Sequence, residues 1–281
     1  MSAHTEIEER VIRPRSGLIQ LDFRELWQYR ELFVFLTWRD ILIRYKQTYL
    51  GVAWAVFQPL LTVAVSTLVF SRLAKMDSNG APYPILVLAG QLPWQFFQNA
   101  MTESSSSLVA SSRIISKVYF PRLIIPLSAV LSGILDAAIS VGLLLVMLPI
   151  YHVPYRPQLL LLPLFFGLAF LAACSVGIWF SALNVRYRDV RYLVPFIARV
   201  GMFICPVGYL WQSRISSGSM KFWYGSNPLV GIIDGFRWCI LSQNEGFYWP
   251  GFWIGTIISV VLFVSGLFYF RNTERNFADL V

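Results

Sequence analysis

Six long apolar stretches occupy most of the chain from Leu50 onward, each about 20 residues long, the length a helix needs to cross the hydrocarbon core of a bilayer. They run over 50–71, 83–100, 123–150, 159–183, 192–212 and 249–270. With 56% hydrophobic and 14% charged residues, the chain has more apolar surface than a soluble fold hides. The sequence therefore predicts an all-α membrane protein with six transmembrane helices.

Charge placement sets the orientation. Of 23 Lys and Arg, sixteen lie in 1–49, in the loop 101–122, in 184–191 and after the last span, while the alternate loops hold six and Arg199 sits inside the fifth span. Basic residues stay on the cytoplasmic side, so both termini are expected there, as six spans require. The first thirty residues lack the apolar run and small-residue cleavage site of a secretory signal. Cys174, Cys205 and Cys239 show no CxxC spacing and read as small apolar residues, neither a metal site nor a disulfide framework.

Residues 1–17, charged and carrying Pro14 and Gly17, read as a mobile cytoplasmic extension. Over 18–49, apolar Phe23, Leu26, Trp27, Leu32, Phe33, Leu36, Trp38 and Leu42 interleave with charges, the pattern of an amphipathic helix lying in the bilayer interface or of an ordinary soluble one. The six-span domain covers 50–271 and a short cytoplasmic tail 272–281. The loop before the third span contains a short amphipathic turn, from Leu108 to Phe120 and Pro121, which reads as a contact surface or as a solvated connector. Residues 213–248 are too long for a turn and too apolar for a solvated loop. Two apolar segments, separated by Asn227 and Pro228 and each too short to span, predict re-entrant helices before the last span, serving as an outer gate or a static cap.

Enzymatic chemistry is missing. None of the four lysines (Lys46, Lys75, Lys117, Lys221) follows a glycine, so no GxxxxGK[ST] phosphate loop occurs. No HExxH, GxSxG or paired-acidic metal motif is present, which argues against a membrane protease, esterase or transferase. The intramembrane charges Asp136 and Arg199, with Glu103 just after the second span, are costly in lipid, so each reads as a functional candidate or as half of a structural pair, and Asp136 with Arg199 is the pairing considered. Trp54, Phe57, Trp94 and Phe203, with Gln58, Gln91 and Gln95 between, offer ring faces and amides suited to lining a path for a sliding sugar chain; the interfacial aromatic belt is the competing reading for the rings.

Several stretches together resemble one family, the permease subunits of ABC-2 type exporters of polysaccharides such as O-antigen, capsule or teichoic acid. They are Tyr29-Arg-Glu-Leu, Arg39-Asp40 and Arg44-Tyr45-Lys46-Gln47-Thr48-Tyr49-Leu50-Gly51 with Trp54 and Pro59; Ser116-Lys117-Val118-Tyr119-Phe120-Pro121-Arg122 with Pro126; Asn184 to Val190; and Asn227-Pro228-Leu229 with Arg237. Thr48 stands where Ser is more usual. The resemblance implies a transport permease of the bacterial cytoplasmic (inner) membrane, working as a homodimer with two separate nucleotide-binding subunits. ATP and Mg would sit on those subunits and no cofactor on this chain. It implies a lipid-linked glycan as cargo and no nucleic acid. Coupling to the ATPase falls to Leu108, Arg113, Lys117, Phe120, Pro121 and Arg122, and the outer gate to Asn227, Pro228 and Arg237. Arg44, Lys46, Arg186, Arg188 and Arg191 are the expected partners of the cargo's pyrophosphate, or stop-transfer charges. An exporter of drugs or other small hydrophobic molecules on the same fold is the alternative.

Overall fold

The computed structural model describes residues 23–46, 51–187, 189–212, 214–215, 217–241 and 247–274. The expected extension 1–17, Arg188 and the tail after 274 lie outside the described residues. Among the described residues all regular structure is helical.

The amphipathic segment forms α1 (Phe23–Gln28) and α2 (Arg30–Tyr45). The first apolar stretch is α3 (Gly51–Thr67), which runs on as a π-helical turn over Leu68–Leu73. The second is α4 (Tyr83–Ala110), whose Pro84 sits in the first turn, where its missing N–H costs nothing. The four-residue α5 (Ser112–Ile115) follows. The third stretch bends at Gly133 into α6 (Ile124–Ser132) and α7 (Ile134–Ile150). The fourth is α8 (Leu162–Arg186), entered through a 3-10 turn over Pro157–Leu161. Then come α9 (Val190–Ile204), α10 (Gly218–Gly225), α11 (Pro228–Leu241) and α12 (Trp249–Glu274).

Among the described residues, four helical segments are long and apolar enough to cross a membrane: Ala53–Leu73, Ile124–Ile150, Pro157–Arg186 and Trp249–Glu274. The other two expected spans differ for separate reasons. Helix α4 has the length, but Gln91, Gln95, Gln98 and Asn99 dilute its apolar run. Helix α9 has only 15 residues, about 22 Å of rise. It stops because Cys205, preceding Pro206, is forced out of the helical region to φ −80°, ψ 145°.

Helix α4 is the centre of the bundle, packed against α8, α6, α11, α7, α3 and α9. Every residue from Ile85 to Trp94 is buried. Its closest neighbour is α8, whose Ala169, Ala172, Ala173, Ser181 and Ala182 are almost wholly buried. Small residues let two backbones approach where no hydrophobic effect drives helices together in lipid. At Gly177 the approach is so close that a Cβ would lie 2.7 Å from the Ser104 hydroxyl oxygen. A second, smaller core lies at the end of the bundle that carries Arg113, Lys117, Arg186 and Arg271. There Leu36 of α2 packs with Leu108, Phe120, Leu123, Ile124, Val185 and Phe270. Burying a side chain such as Leu36 contributes roughly 1.5–3 kcal/mol outside the lipid, which fixes α2 to α6.

Candidate functional site

At the basic end, α4 runs into α5 and the following loop. Leu108, Phe120 and Pro121 are buried and anchor this connection. Arg113, Lys117, Val118 and Tyr119 stand exposed beyond it, so the loop offers a basic and aromatic surface on an apolar footing. Its far end is tied to the last helix. The Arg122 backbone N–H donates to Glu274 Oε1 (3.2 Å), the Arg122 guanidinium donates to the Glu274 carbonyl, and Arg271 pairs with Glu274 Oε2 (2.9 Å). Of the six expected coupling residues, then, three are anchors, two are exposed cations, and Arg122 is the link to α12.

The considered pairing of Asp136 with Arg199 does not form. Arg199 is exposed on α9, and Asp136, on α7, meets α2 instead. Arg44 donates through Nη1 to Asp136 Oδ2 and through Nη2 to both oxygens of Glu103 on α4, and the Tyr45 hydroxyl donates to Asp136 Oδ1. Burial opposes the Arg44 charge, but the two carboxylates outweigh it and its pKa is raised. Burial, helped by the bond to Asp136, pushes the Tyr45 phenol upward, so it stays a protonated donor. Arg44 is therefore not a free cation awaiting a phosphate: an incoming anion would have to displace two carboxylates that already hold its fork. Lys46, Arg186 and Arg191 are exposed, with the Arg186 guanidinium 5.4 Å from the centre of the Tyr187 ring. Glu103 and Tyr45 were not singled out as partners by sequence. The one signal was a carboxylate just past an apolar span, and spacing does not say which helix comes to meet it.

The expected path residues separate into two environments. Trp54 and Phe57, their ring centres 5.7 Å apart, lie exposed with Gln58 on α3, and Phe203 is exposed near the end of α9. On the central helix, Gln91 and Trp94 are buried and Gln95 is half-buried. Trp94 leans on Gly201 of α9 and donates its indole N–H to Gln98 Oε1 (2.9 Å). Gln91 and Trp94 do not line a surface of the single chain, because the helices packed around α4 enclose both. What the single chain does present is an apolar face on α3 and its π-helical turn, with Trp54, Phe57, Leu61, Val65 and Leu68, and another on α9, with Tyr192, Phe196, Val200 and Phe203.

At the opposite end, Asn227 Oδ1 accepts the Leu229 N–H (3.1 Å) and Pro228 opens α11, a sequence-local start signal. Arg237 is 2% exposed. It donates to the carbonyls of Val207 (2.8 Å), Tyr209 (2.9 Å) and Leu86 (3.4 Å), pinning the chain that leaves α9 onto α4. Next to it Asp234 accepts from the Trp211 indole (2.7 Å) and the Gln212 amide (3.3 Å). Tyr209 and Tyr224 share a hydroxyl contact (2.9 Å), and Tyr224 also donates to the Ile204 carbonyl (2.7 Å). Asp234 escaped the sequence reading, although an acid three residues before Arg237 in an apolar segment was a visible signal.

Comparison with known proteins adds the following. A family described as ABC-2 type transporter matches residues 31–241. The chain is 26% identical over 264 residues to the O-antigen export system permease protein RfbA of Myxococcus xanthus, covering 92% of this chain and 98% of that one. It is 28% and 27% identical to two proteins of the same name from Klebsiella pneumoniae, over 252 and 257 residues, in each case 89% of this chain and 95% of the relative.

Proposed function

The chain belongs to the ABC-2 type transporter family, and from that membership we propose that it is the membrane-spanning subunit of an exporter of lipid-linked, O-antigen-like polysaccharide across the bacterial inner membrane. The observation that carries the reading is the likeness to three O-antigen export permeases over nearly the whole length of both partners. In this reading α4 and α9 with the chain after it complete six spans. The apolar face of α1 and α2, with Trp27, Phe35 and Trp38 exposed, rests in the headgroup region, and both termini are cytoplasmic. Helices α10 and α11 enter the outer leaflet without crossing it and form the outer gate, with Asn227, Pro228 and Arg237.

The working unit is a homodimer carrying two separate ATPase subunits, on which ATP and Mg are bound. The α5 loop, with Arg113 and Lys117 exposed, is the surface those subunits push. Trp54, Phe57, Gln58 and Phe203 supply ring and amide faces to the cargo's path, and exposed Lys46, Arg186 and Arg191 meet its pyrophosphate at the inner interface.

Deleting the chain from its host tests the reading. Surface polysaccharide should disappear, lipid-linked glycan should accumulate on the inner leaflet, and the full chain supplied in trans should restore export. Normal surface glycan in the deletion strain, together with new sensitivity to small hydrophobic compounds, would favour the drug-exporter alternative.

A further inference from the structure

We propose that Arg44 is a positioning residue that carries movement of the α4–α5 segment to the α3 wall, by joining Glu103 of α4 and Asp136 of α7 to the last turn of α2. The inference rests on the transport reading and deepens it. Helix α2 is held twice. Its middle is fixed by the apolar contacts of Leu36 and its neighbours with α6. Its last turn is held by the Arg44 fork and the Tyr45 hydroxyl, and α2 contacts α3, which carries the exposed Trp54, Phe57 and Gln58. Glu103 lies on the stretch of α4 that continues directly into α5 and the exposed Arg113 and Lys117. A push delivered at α5 therefore reaches Glu103 along one helix, crosses the guanidinium, and arrives at the root of α3.

The charge count makes the link obligatory. One guanidinium stands between two carboxylates, while the neighbouring Asp40 is already held by Arg39 (2.8 Å). Without Arg44, Glu103 and Asp136 are like charges sharing a half-buried site, and α4 and α7 repel where they were bridged. Lysine restores a charge but not a fork that can grip both acids at once.

The test uses the complete transporter purified from its host and reconstituted, with Arg44→Met, Arg44→Lys and the triple variant Arg44→Met, Glu103→Gln, Asp136→Asn. The triple variant has no unpaired charge and is expected to fold where Arg44→Met does not. In Arg44→Met and the triple variant, ATP hydrolysis should stay within about twofold of the parent while export per ATP falls roughly tenfold, with Arg44→Lys in between. A second readout needs no cargo. Gln58→Cys is labelled with a maleimide with and without ATP, the three native cysteines being buried. ATP should change the labelling rate in the Arg44 background and leave it unchanged in the triple variant. Parent-like export per ATP in the triple variant would overturn the proposal. So would hydrolysis and export falling in proportion, or the same ATP-dependent labelling in both backgrounds, or no ATP-dependent labelling in either. Absence of glycan export by the Arg44 parent would count against the proposed cargo, whereas the labelling result would still decide the role of Arg44.

Discussion

The Arg237 guanidinium meets three backbone carbonyls, those of Leu86, Val207 and Tyr209, and is almost wholly enclosed. Its neighbour Gly90 must be a glycine, because a Cβ there would lie 2.6 Å from the Val207 carbonyl oxygen and 2.8 Å from Arg237 Nη2. Arg237→Met takes this donor from the Val207 and Tyr209 carbonyls, which lie outside any helix, at about 1–3 kcal/mol for each one that stays buried, while the Leu86 carbonyl keeps its bond within α4. The expected outcome is a clear drop in the midpoint of thermal unfolding of the detergent-solubilised protein, read by tryptophan fluorescence. Arg237→Lys, a point donor instead of a fork, should recover only part of it. An unchanged midpoint in the Met variant would mean that Arg237 does not pin this segment. The sequence marked Arg237 as a cation in an apolar stretch; that its partners are carbonyls of the chain leaving α9 and of α4 is a matter of tertiary contact.

Among the elements, α12 is shaped to receive the α10–α11 corner. A Cβ at Gly255 would meet the Pro228 Cα at 2.9 Å, and one at Gly251 would meet the Gly225 carbonyl oxygen at 2.6 Å. Both obstacles are backbone, which cannot swing aside as a flexible side chain does. Gly255→Val should therefore push the corner away from α12 at a cost of about 1–3 kcal/mol, the usual range for overpacking. In the proposed exporter this displaces the outer gate, so the measurement is proton or dye leak across reconstituted vesicles. Gly255→Val should leak, and Gly266→Ala, where the nearest atom belongs to the Trp179 side chain, should stay tight. Equal leak from both would separate the corner from gating. The two-helix division at Asn227 and Pro228 was readable in sequence because the start of α11 is signalled locally. The seat on α12 was not, since those glycines look like any others in a span.

For the whole molecule, orientation is the property on which the proposed function depends most. Every described cytoplasmic candidate, from Arg113 and Lys117 to Arg186 and Arg271, lies at the end of the bundle with the smaller core, while Tyr83, Trp211 and Arg237 lie at the other. A reporter active only in the cytoplasm should work when inserted between Lys117 and Val118, in the exposed loop after α5. It should fail when inserted between Asn79 and Gly80, in the exposed turn between α3 and α4. A cytoplasmic signal from the Asn79 insertion would reverse the map. The stretch Ser104 to Ser112 is unsuitable for such an insertion, because it lies within α4 and at the start of α5, with Ser104, Ser105 and Leu108 buried.

Sequence alone determined the helical membrane character, the position of each long apolar stretch, the basic loops, the lack of a phosphate loop and the corner at Asn227 and Pro228. Each of these is set by the identity or spacing of residues close together in the chain, and even the shortening of α9 was available in Cys205-Pro206. Only the tertiary structure decided that Asp136 turns to Arg44 instead of Arg199, that Gln91 of α4 is enclosed in protein, and that Glu274 holds the loop at Arg122. Contacts of that kind join residues separated by 92 and 152 positions, and they depend on which faces of neighbouring helices meet. A single sequence with a helical period fixes the faces but not their partners.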